Sequence, residues 1–392
     1  MNSNDDLLKF LLIRQIDLLR FSNSVQKDLL KILIDSEAQL RDEIERRVDT
    51  LIGKGITDSY TLKRLKALDQ VIKDIRLSNY DEITRSLKET LLELSKDESQ
   101  HIKEAIATSL PVILDLVTPE AARLRAIVER NPFQGMVLKD LVGKLAKIDI
   151  DRITSSVKIG LVNGRTTNEI VRSIFSDKGV ISLSKKNLST VTRTAIMDIA
   201  NSVRTTVYDE NKKYFDKEVY VATLDSRTTP ICRANDGKIF ERGKGLKPPS
   251  HYNCRSIRVP LLTDELIGER PIKPVTEKQL LREFSKANQL GTIKSRDNLP
   301  KGFKGEFDKY SRRRTRELIG RVPAKITYED FLRSQSVEFQ EDVLGKSKAK
   351  LFRDGGLKLD KFIDSEGKEL TLPELSSRYK EAFRKAELTE FI

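Results

Sequence analysis

Cysteine and histidine are scarce in this 392-residue chain, with two of each. Two cysteines supply no disulfide framework, so a reduced, intracellular setting is expected. Two histidines leave few options for imidazole chemistry. No apolar run reaches the roughly 18 residues a membrane helix needs, so no span is expected. Near the start, Leu7–Leu8 and Phe10–Ile13 are apolar, but Asp5 and Asp6 precede them. A secretory leader would be basic there and would be followed by a small-residue cleavage site, so these residues read as the first turns of a helix. The chain also lacks a glycine-rich phosphate cradle, an H-E-x-x-H helix, a paired-acid motif near an arginine-led strand, and any Ser/His pairing. No internal repeat and no low-complexity tract stands out.

What is present is charge and helical periodicity. Lys and Arg total 72 against 59 Asp and Glu, a formal surplus of +13, and 33% of residues are charged against 38% hydrophobic. Such a surplus favours polyanions or acidic protein surfaces as partners and says nothing about fold. The length suits roughly two or three folding units. Over residues 4–116, Leu29, Leu33, Leu40, Ile44, Val48 and Leu51 form one stripe near helical period. Leu65, Leu68, Ile72 and Ile75 form a second, and Leu87, Leu91 and Leu94 a third. Breaks are expected at Gly53, Gly55 and Ser78–Asn79, and Pro111 and Pro119 mark the next boundary. Thr118-Pro119-Glu120 reads as a helix start. Gly164 suits a left-handed turn before a helix capped by Thr166 or Thr167. A helix is expected over 188–215, one over 327–352 capped by Thr327 and ended by Gly355–Gly356, and a last one over 372–388 capped by Thr371.

The texture changes after residue 218. Val219–Leu224 is rich in β-branched residues and reads as a strand, with Lys238–Phe240 and Ser256–Pro260 as two more. Both cysteines and one histidine fall in this stretch. Cys232 and Cys254 lie far enough apart for the loop to fold back, and His251 and Cys254 have two residues between them. Together they form a candidate Cys-His-Cys metal set. A structural zinc wants a fourth ligand. The natural positions hold Thr229 and Ser256, both poor ligands, and Asp225 or Asp236 would need a favourable curl of the loop. Four readings of the trio stand side by side: a metal-free clasp of buried thiols with His251 bonded to backbone, a structural zinc, a Cys232–Cys254 disulfide formed after lysis, and a catalytic zinc. A deaminase would need H-x-E, whereas Tyr252-Asn253 follows His251. Asp225 and Arg227 read as loop pins, Asp225 accepting backbone N–H groups and Arg227 making a fork-like salt bridge. Asp236-Gly237 reads as a hairpin turn, and Pro248–Pro249 as a stiff approach to His251. Downstream, Arg312, Arg313, Arg314 and Arg316 form the densest cationic run. It is read as a solvated face or as a contact for nucleic acid or an acidic partner, with Phe303, Phe307 and Tyr310 just upstream.

The string Leu224-Asp225-x-Arg227-Thr228-x-Pro230-x-Cys232, then Asp236-Gly237-Lys238-x-Phe240, then Pro248-Pro249-x-His251-x-x-Cys254-Arg255 resembles the phage Mu F-like minor head protein family. Arg193-Thr194 and the helix to Tyr208 and Asn211 resemble its lead-in. Tyr328–Leu332, Phe339-Gln340, Val343–Gly345, Lys350–Phe352 and Gly355 resemble its tail, so the resemblance covers about 186–380. The loop-fixing residues it implies are Asp225, Arg227, Thr228, Pro230, Asp236, Gly237, Pro249 and Arg255. Some family members carry Cys where this chain has Thr229 and Ser256.

The fold expected is mainly α with a small β insertion (α+β). Residues 1–116 would form an N-terminal long-helix bundle, 117–185 a short-helix connector, and 186–392 a Mu F-like domain with the Cys/His loop at 225–256. The resemblance implies a non-enzymatic virion protein of a tailed phage, assembled in the host cytoplasm and sited in the head near the portal vertex. It would act in head morphogenesis and DNA delivery, bind the portal protein and the capsid, contact genomic DNA non-specifically, and self-associate. No cofactor is required, a structural zinc being the one candidate. The alternative is an injected toxin-like enzyme, an ADP-ribosyltransferase or a nuclease.

Overall fold

The computed structural model describes residues 3–52, 59–109, 114–133, 135–261 and 266–391. The expected breaks at Gly53, Gly55 and Pro111 lie outside them. Three helices open the chain: α1 (Ser3–Asp35), α2 (Glu37–Asp49) and α3 (Ser59–Ser109). Then follow α4 (Ala121–Arg130), α5 (Leu138–Val162), α6 (Thr167–Phe175) and α7 (Val180–Glu210). The β elements come next: β1 (Lys217–Val221), β2 (Leu224–Asp225), a short α8 (Pro230–Asn235), β3 (Ile239–Glu241), β4 (Ile257–Pro260) and β5 (Glu269–Lys273). Helices α9 (Glu277–Ala287) and α10 (Phe303–Leu318) precede β6 (Gly320–Pro323). The chain closes with α11 (Tyr328–Arg333), α12 (Val337–Leu344), α13 (Lys346–Arg353), α14 (Leu372–Arg378) and α15 (Lys380–Lys385). Mainly α with small sheets, as the periodicity and the β-branched stretch predict, is the architecture found.

The apolar stripes do form core, but divided differently from the sequence reading. Leu29 and Leu33 belong to α1, and Leu40, Ile44 and Val48 to α2, with Ser36 between them. The first pair packs in the main core, the second set with Leu68, Ile72, Ile153, Val157, Ile170 and Ile174 in a separate cluster. Ser78–Asn79 does not break α3. Tyr80, Ile83, Leu87 and Leu91 carry the buried stripe straight through, and the Ser36 hydroxyl donates to the Asn79 side chain at 2.8 Å. Helical burial on both sides outweighs the weak local preference of two polar residues.

The main core is built by α1, α3, α4, α5 and α7 and continues into β1 and β4 through Val219, Val221, Ile257 and Val259. A buried ion triad crosses it. Glu98 on α3 accepts from Arg14 on α1 at 2.8 Å and from Arg204 on α7 at 2.5 Å. Burial alone would raise the Glu98 pKa, but the charges of Arg204 and Arg14 outweigh it and hold the carboxyl below its usual range. A second buried pair, Arg76 to Asp149 at 3.1 Å, joins α3 to α5. Through the Glu98–Arg204 contact α3 is tied to α7, the helix that leads into the Cys/His loop.

Local caps follow the expected chemistry. Thr166, Thr327 and Thr371 each form a capping box with the acid three residues on, and Gly164 has φ 65°. Two expectations shift. The helix after Pro119 starts two residues later, with Glu120 as its cap. The segments 327–352 and 372–388 are each divided, the first into α11–α13 and the second at Tyr379. Around them Phe331, Phe339, Phe352 and Phe383 form a C-terminal core that also takes in Leu224.

Candidate functional site

Two three-stranded sheets frame the loop. One has the order β3-β1-β4, antiparallel throughout, and the other β2-β5-β6, with β2 parallel to β5 and β6 antiparallel to it. The stretch 219–224 is therefore not one strand but two, passing from the first sheet to the second at Ala222–Thr223. The Asp236-Gly237 turn joins α8 to β3 rather than two strands. Asp236 caps α8, and Gly237, at φ 81°, turns the chain where a Cβ would strike Thr327.

Cys232, His251 and Cys254 meet at the inner side of this frame, and their ligand atoms all lie within 4.8 Å of one another. Pro230 opens α8, which carries Cys232 inward with 1% exposure. The His251–Cys254 turn is closed by the Cys254 N–H donating to the His251 carbonyl at 3.2 Å. Asn253 takes φ 59° inside it, a conformation asparagine tolerates better than most residues. Helix α7 holds that turn: the Asn253 N–H donates to the Thr194 hydroxyl at 3.0 Å, and Arg193 donates to the Asn253 side chain at 3.2 Å.

The donor set fits a metal ion in three positions. The His251 Nδ1 lies 2.8 Å from the Tyr252 carbonyl, so Nδ1 carries the proton and Nε2 presents its lone pair. That lone pair faces Cys232 Sγ at 3.2 Å and the Thr229 hydroxyl at 2.8 Å. The two sulfurs are 3.7 Å apart. Two thiolates at about 2.3 Å from one tetrahedral zinc would sit about 3.8 Å apart. The hydrogen bond between the sulfurs lowers the Cys254 pKa, with help from the Ser256 and Ser250 backbone, and raises that of Cys232, with burial adding to the rise. Zinc here would be held by Cys232, His251 and Cys254. Neither aspartate can serve as the fourth ligand, because both are committed to arginines.

Those commitments define the rest of the loop. Asp225 accepts a two-pronged contact from Arg255 at 2.5 and 2.8 Å, the Arg227 N–H at 3.0 Å and the Thr228 hydroxyl at 3.2 Å. Arg227, for which the fork was expected, has a 72% exposed side chain and lies 3.8 Å from Asp225. Asp236 accepts both terminal nitrogens of Arg270 at 3.0 Å, the Ala222 N–H at 2.6 Å and the Tyr328 N–H at 2.6 Å. Arg270 stands outside every motif read from the sequence and no spacing pointed to it. The Pro248–Pro249 peptide is cis, and Pro249 is half-buried.

The arginine run lies apart, on α10. Arg312, Arg313 and Arg316 are exposed and Arg314 is half-buried. Arg314 pairs with Glu317 at 3.2 Å and lies 3.6 Å from Glu283, and Arg313 lies 3.9 Å from Glu317. Phe303, Phe307 and Tyr310 do not interleave with these arginines. They pack edge-on or tilted against Phe284, with centroids 5.4–6.3 Å away, so no stacking platform forms there.

With this geometry in view, residues 151–258 match the family described as Phage Mu protein F like protein. The match covers 108 of the 392 residues, so the likeness is one of this segment. The match runs from inside α5 to β4 and contains the whole Cys/His loop and α7. The tail residues 328–355 fall beyond it. No curated protein and no solved structure matches the chain. No described helix is long and apolar enough to cross a membrane.

The Asp225–Arg255 pair gives a pH signature. Burial would raise the Asp225 pKa, but the hydrogen bonds and charge of Arg255, with Arg227 adding to them, lower it below the ordinary value of 3.8. A folded-state pKa below the unfolded one stabilises at neutral pH, and that stability is lost as pH falls below about 4. Asp225→Asn is expected to destabilise the chain by about 3 kcal/mol at pH 7 and to flatten the acid limb of stability against pH. Denaturant unfolding between pH 3 and pH 7 measures this, and an unchanged acid limb would show that the pair does not hold the loop.

Proposed function

We propose that this Mu F-like chain is a non-enzymatic minor head component that docks at the portal vertex, lies close to packaged DNA and takes part in its delivery. The observation that carries the proposal is the family match over residues 151–258, the segment that holds α7 and the Cys/His loop. The surface offers support. On α1, Phe10, Ile13, Ile16 and Phe21 are each 38–49% exposed, and Ile13 and Ile16 border a groove with Pro271, rimmed by Asp5, Lys9, Glu269 and Arg321. An apolar strip with a charged rim suits docking on another protein. The +13 surplus suits proximity to phosphates, by contacts that are non-specific and weaken with salt. Contacts with the capsid and self-association use the same resources of long helix and exposed apolar surface.

The direct test is co-purification with the cognate portal and mass spectrometry of purified virions. A portal complex is expected, weakened at least tenfold by the double substitution Ile13→Asp/Ile16→Asp. Absence of the chain from virions, together with no portal complex, would refute the proposal.

We also propose that Cys232, His251 and Cys254 hold a structural zinc, with water or a weak oxygen donor completing the shell. The support is the chemistry of the donor set: a histidine whose Nδ1 proton is already engaged by a carbonyl, as metal-bound histidines require, and two thiols at ligand spacing. Metal analysis of protein purified without chelator is expected to find about one zinc per chain, lost in Cys254→Ala. Less than about a tenth of an equivalent would leave a metal-free clasp.

A further inference from the structure

Helix α7 is largely buried, yet one of its faces is polar. Asp198, Asn201, Ser202 and Thr205 recur at the three- and four-residue spacing that stacks side chains on one helical face. They line a cavity of about 380 Å³, within the size range of small-ligand sites. Its other walls include Ile127, Pro132 and Phe133 on one side and Lys247–Pro249 on the other. The α7 wall and Lys247–Pro249 lie within the matched segment, Ile127, Pro132 and Phe133 lie before it, and none of Cys232, His251 and Cys254 lines the cavity.

Most polar groups of this wall are already engaged. Ser202 accepts from Asn131 at 3.0 Å, Thr206 donates to the Ser202 carbonyl at 2.8 Å, and Asp209 accepts from Arg242 at 3.2 Å. The Asn201 amide nitrogen donates to the Met197 carbonyl at 2.9 Å, which leaves its side-chain oxygen without a hydrogen bond among the described residues. Asp198 is different. It is 9% exposed, borders the cavity, and has neither a hydrogen-bond nor an ion-pair partner among the described residues. Burial alone holds its carboxyl up at about 7, with no cation relieving it. Lys247, the one lysine of the lining, is exposed and acts on Glu218. A buried carboxylate without a partner is costly and is retained where something pairs with it.

We propose that this cavity binds an organic cation, a guanidinium or alkylammonium on a short apolar stem, with the Asp198 carboxylate as its counter-ion. The Asn201 side-chain oxygen offers a second acceptor for the N–H groups, and Ile127, Phe133 and Pro248 flank the stem. A divalent metal fits poorly. Such ions take several carboxylates or a shared substrate phosphate, whereas Asp209 is held by Arg242. Among the described residues, only Cys232, His251 and Cys254 converge as three or more metal-type ligands. The cation can arrive free, as a polyamine, or as an arginine or lysine side chain of a protein neighbour, and the same chemistry serves both.

Titration calorimetry on the full chain at about pH 8, where Asp198 is ionised, separates the outcomes. The probes are agmatine, spermidine, N-acetyl-arginine amide and magnesium chloride. At least one organic cation is expected to bind with a sub-millimolar Kd, weakened tenfold or more by Asp198→Asn and by the cavity-filling Thr205→Phe. Binding of agmatine or spermidine points to a free polyamine, and binding of the blocked arginine alone to a protein side chain. Thermal melting accompanies each variant. Asp198→Asn is expected to melt at or above the wild type, because it removes an unpaired buried charge, and Thr205→Phe carries the test alone if it does not fold. The proposal is overturned if no organic cation binds up to about 10 mM, if binding survives both substitutions, or if magnesium alone binds in an Asp198-dependent way.

Discussion

The Asp236 carboxylate accepts the backbone N–H groups of Ala222 and Tyr328 and both terminal nitrogens of Arg270. Four parts of the chain meet through it: the crossing from the first sheet to the second, the end of α8, strand β5, and the start of α11. All lie away from water, with Asp236 and Arg270 side chains 0% and 3% exposed. In such surroundings a charge is tolerable only when its partner and its remaining lone pairs are satisfied. Asp236 meets that demand with four donors. The position of α8, and with it Cys232, depends on this pairing. So does the docking of the C-terminal core, which reaches the loop through Tyr328 and its hydroxyl bond to the Asp225 carbonyl at 2.8 Å.

Around that anchor the Cys/His loop is pinned in two places. Asp225–Arg255 ties its two ends together and Asp236–Arg270 holds its middle, while α7 grips the His251–Cys254 turn through Arg193 and Thr194. Helix α7 is itself placed by the Glu98 triad and by its apolar contacts with α1 and α3. The proposed head-protein role and the proposed zinc therefore draw on one scaffold. The long helices present the outer surface, and the loop locks the small sheets onto them.

Much of this was legible in the sequence, and the reasons are local. Capping threonines announce themselves by an acid three residues on, so Thr166, Thr327 and Thr371 could be placed before any coordinates. The two cysteines and His251 could be grouped because scarce residues close in sequence rarely scatter in space. The β-branched stretch at 219–224 gave away strands, though not the jump between sheets. What was hidden is long-range. Arg270 lies 34 residues from Asp236 in a segment with no motif, and only the folded chain shows why it is there. The exchange of roles between Arg227 and Arg255 is of the same kind, since either could reach Asp225 until β4 fixed one of them. The polar face of α7, Asp198, Asn201, Ser202 and Thr205, went unremarked in the sequence, where a polar stripe is normally solvated. Here it lines a partly open cavity that the 247–249 loop helps to wall.

A double-mutant cycle between Asp236 and Arg270 tests the central pairing most directly. Asp236→Asn, Arg270→Gln and the double variant would be compared by denaturant unfolding at neutral pH. If the buried pair anchors the loop, each single substitution destabilises by about 3 kcal/mol or more, and the double variant costs at least 2 kcal/mol less than their sum. Single effects that add to within about 0.5 kcal/mol would contradict it.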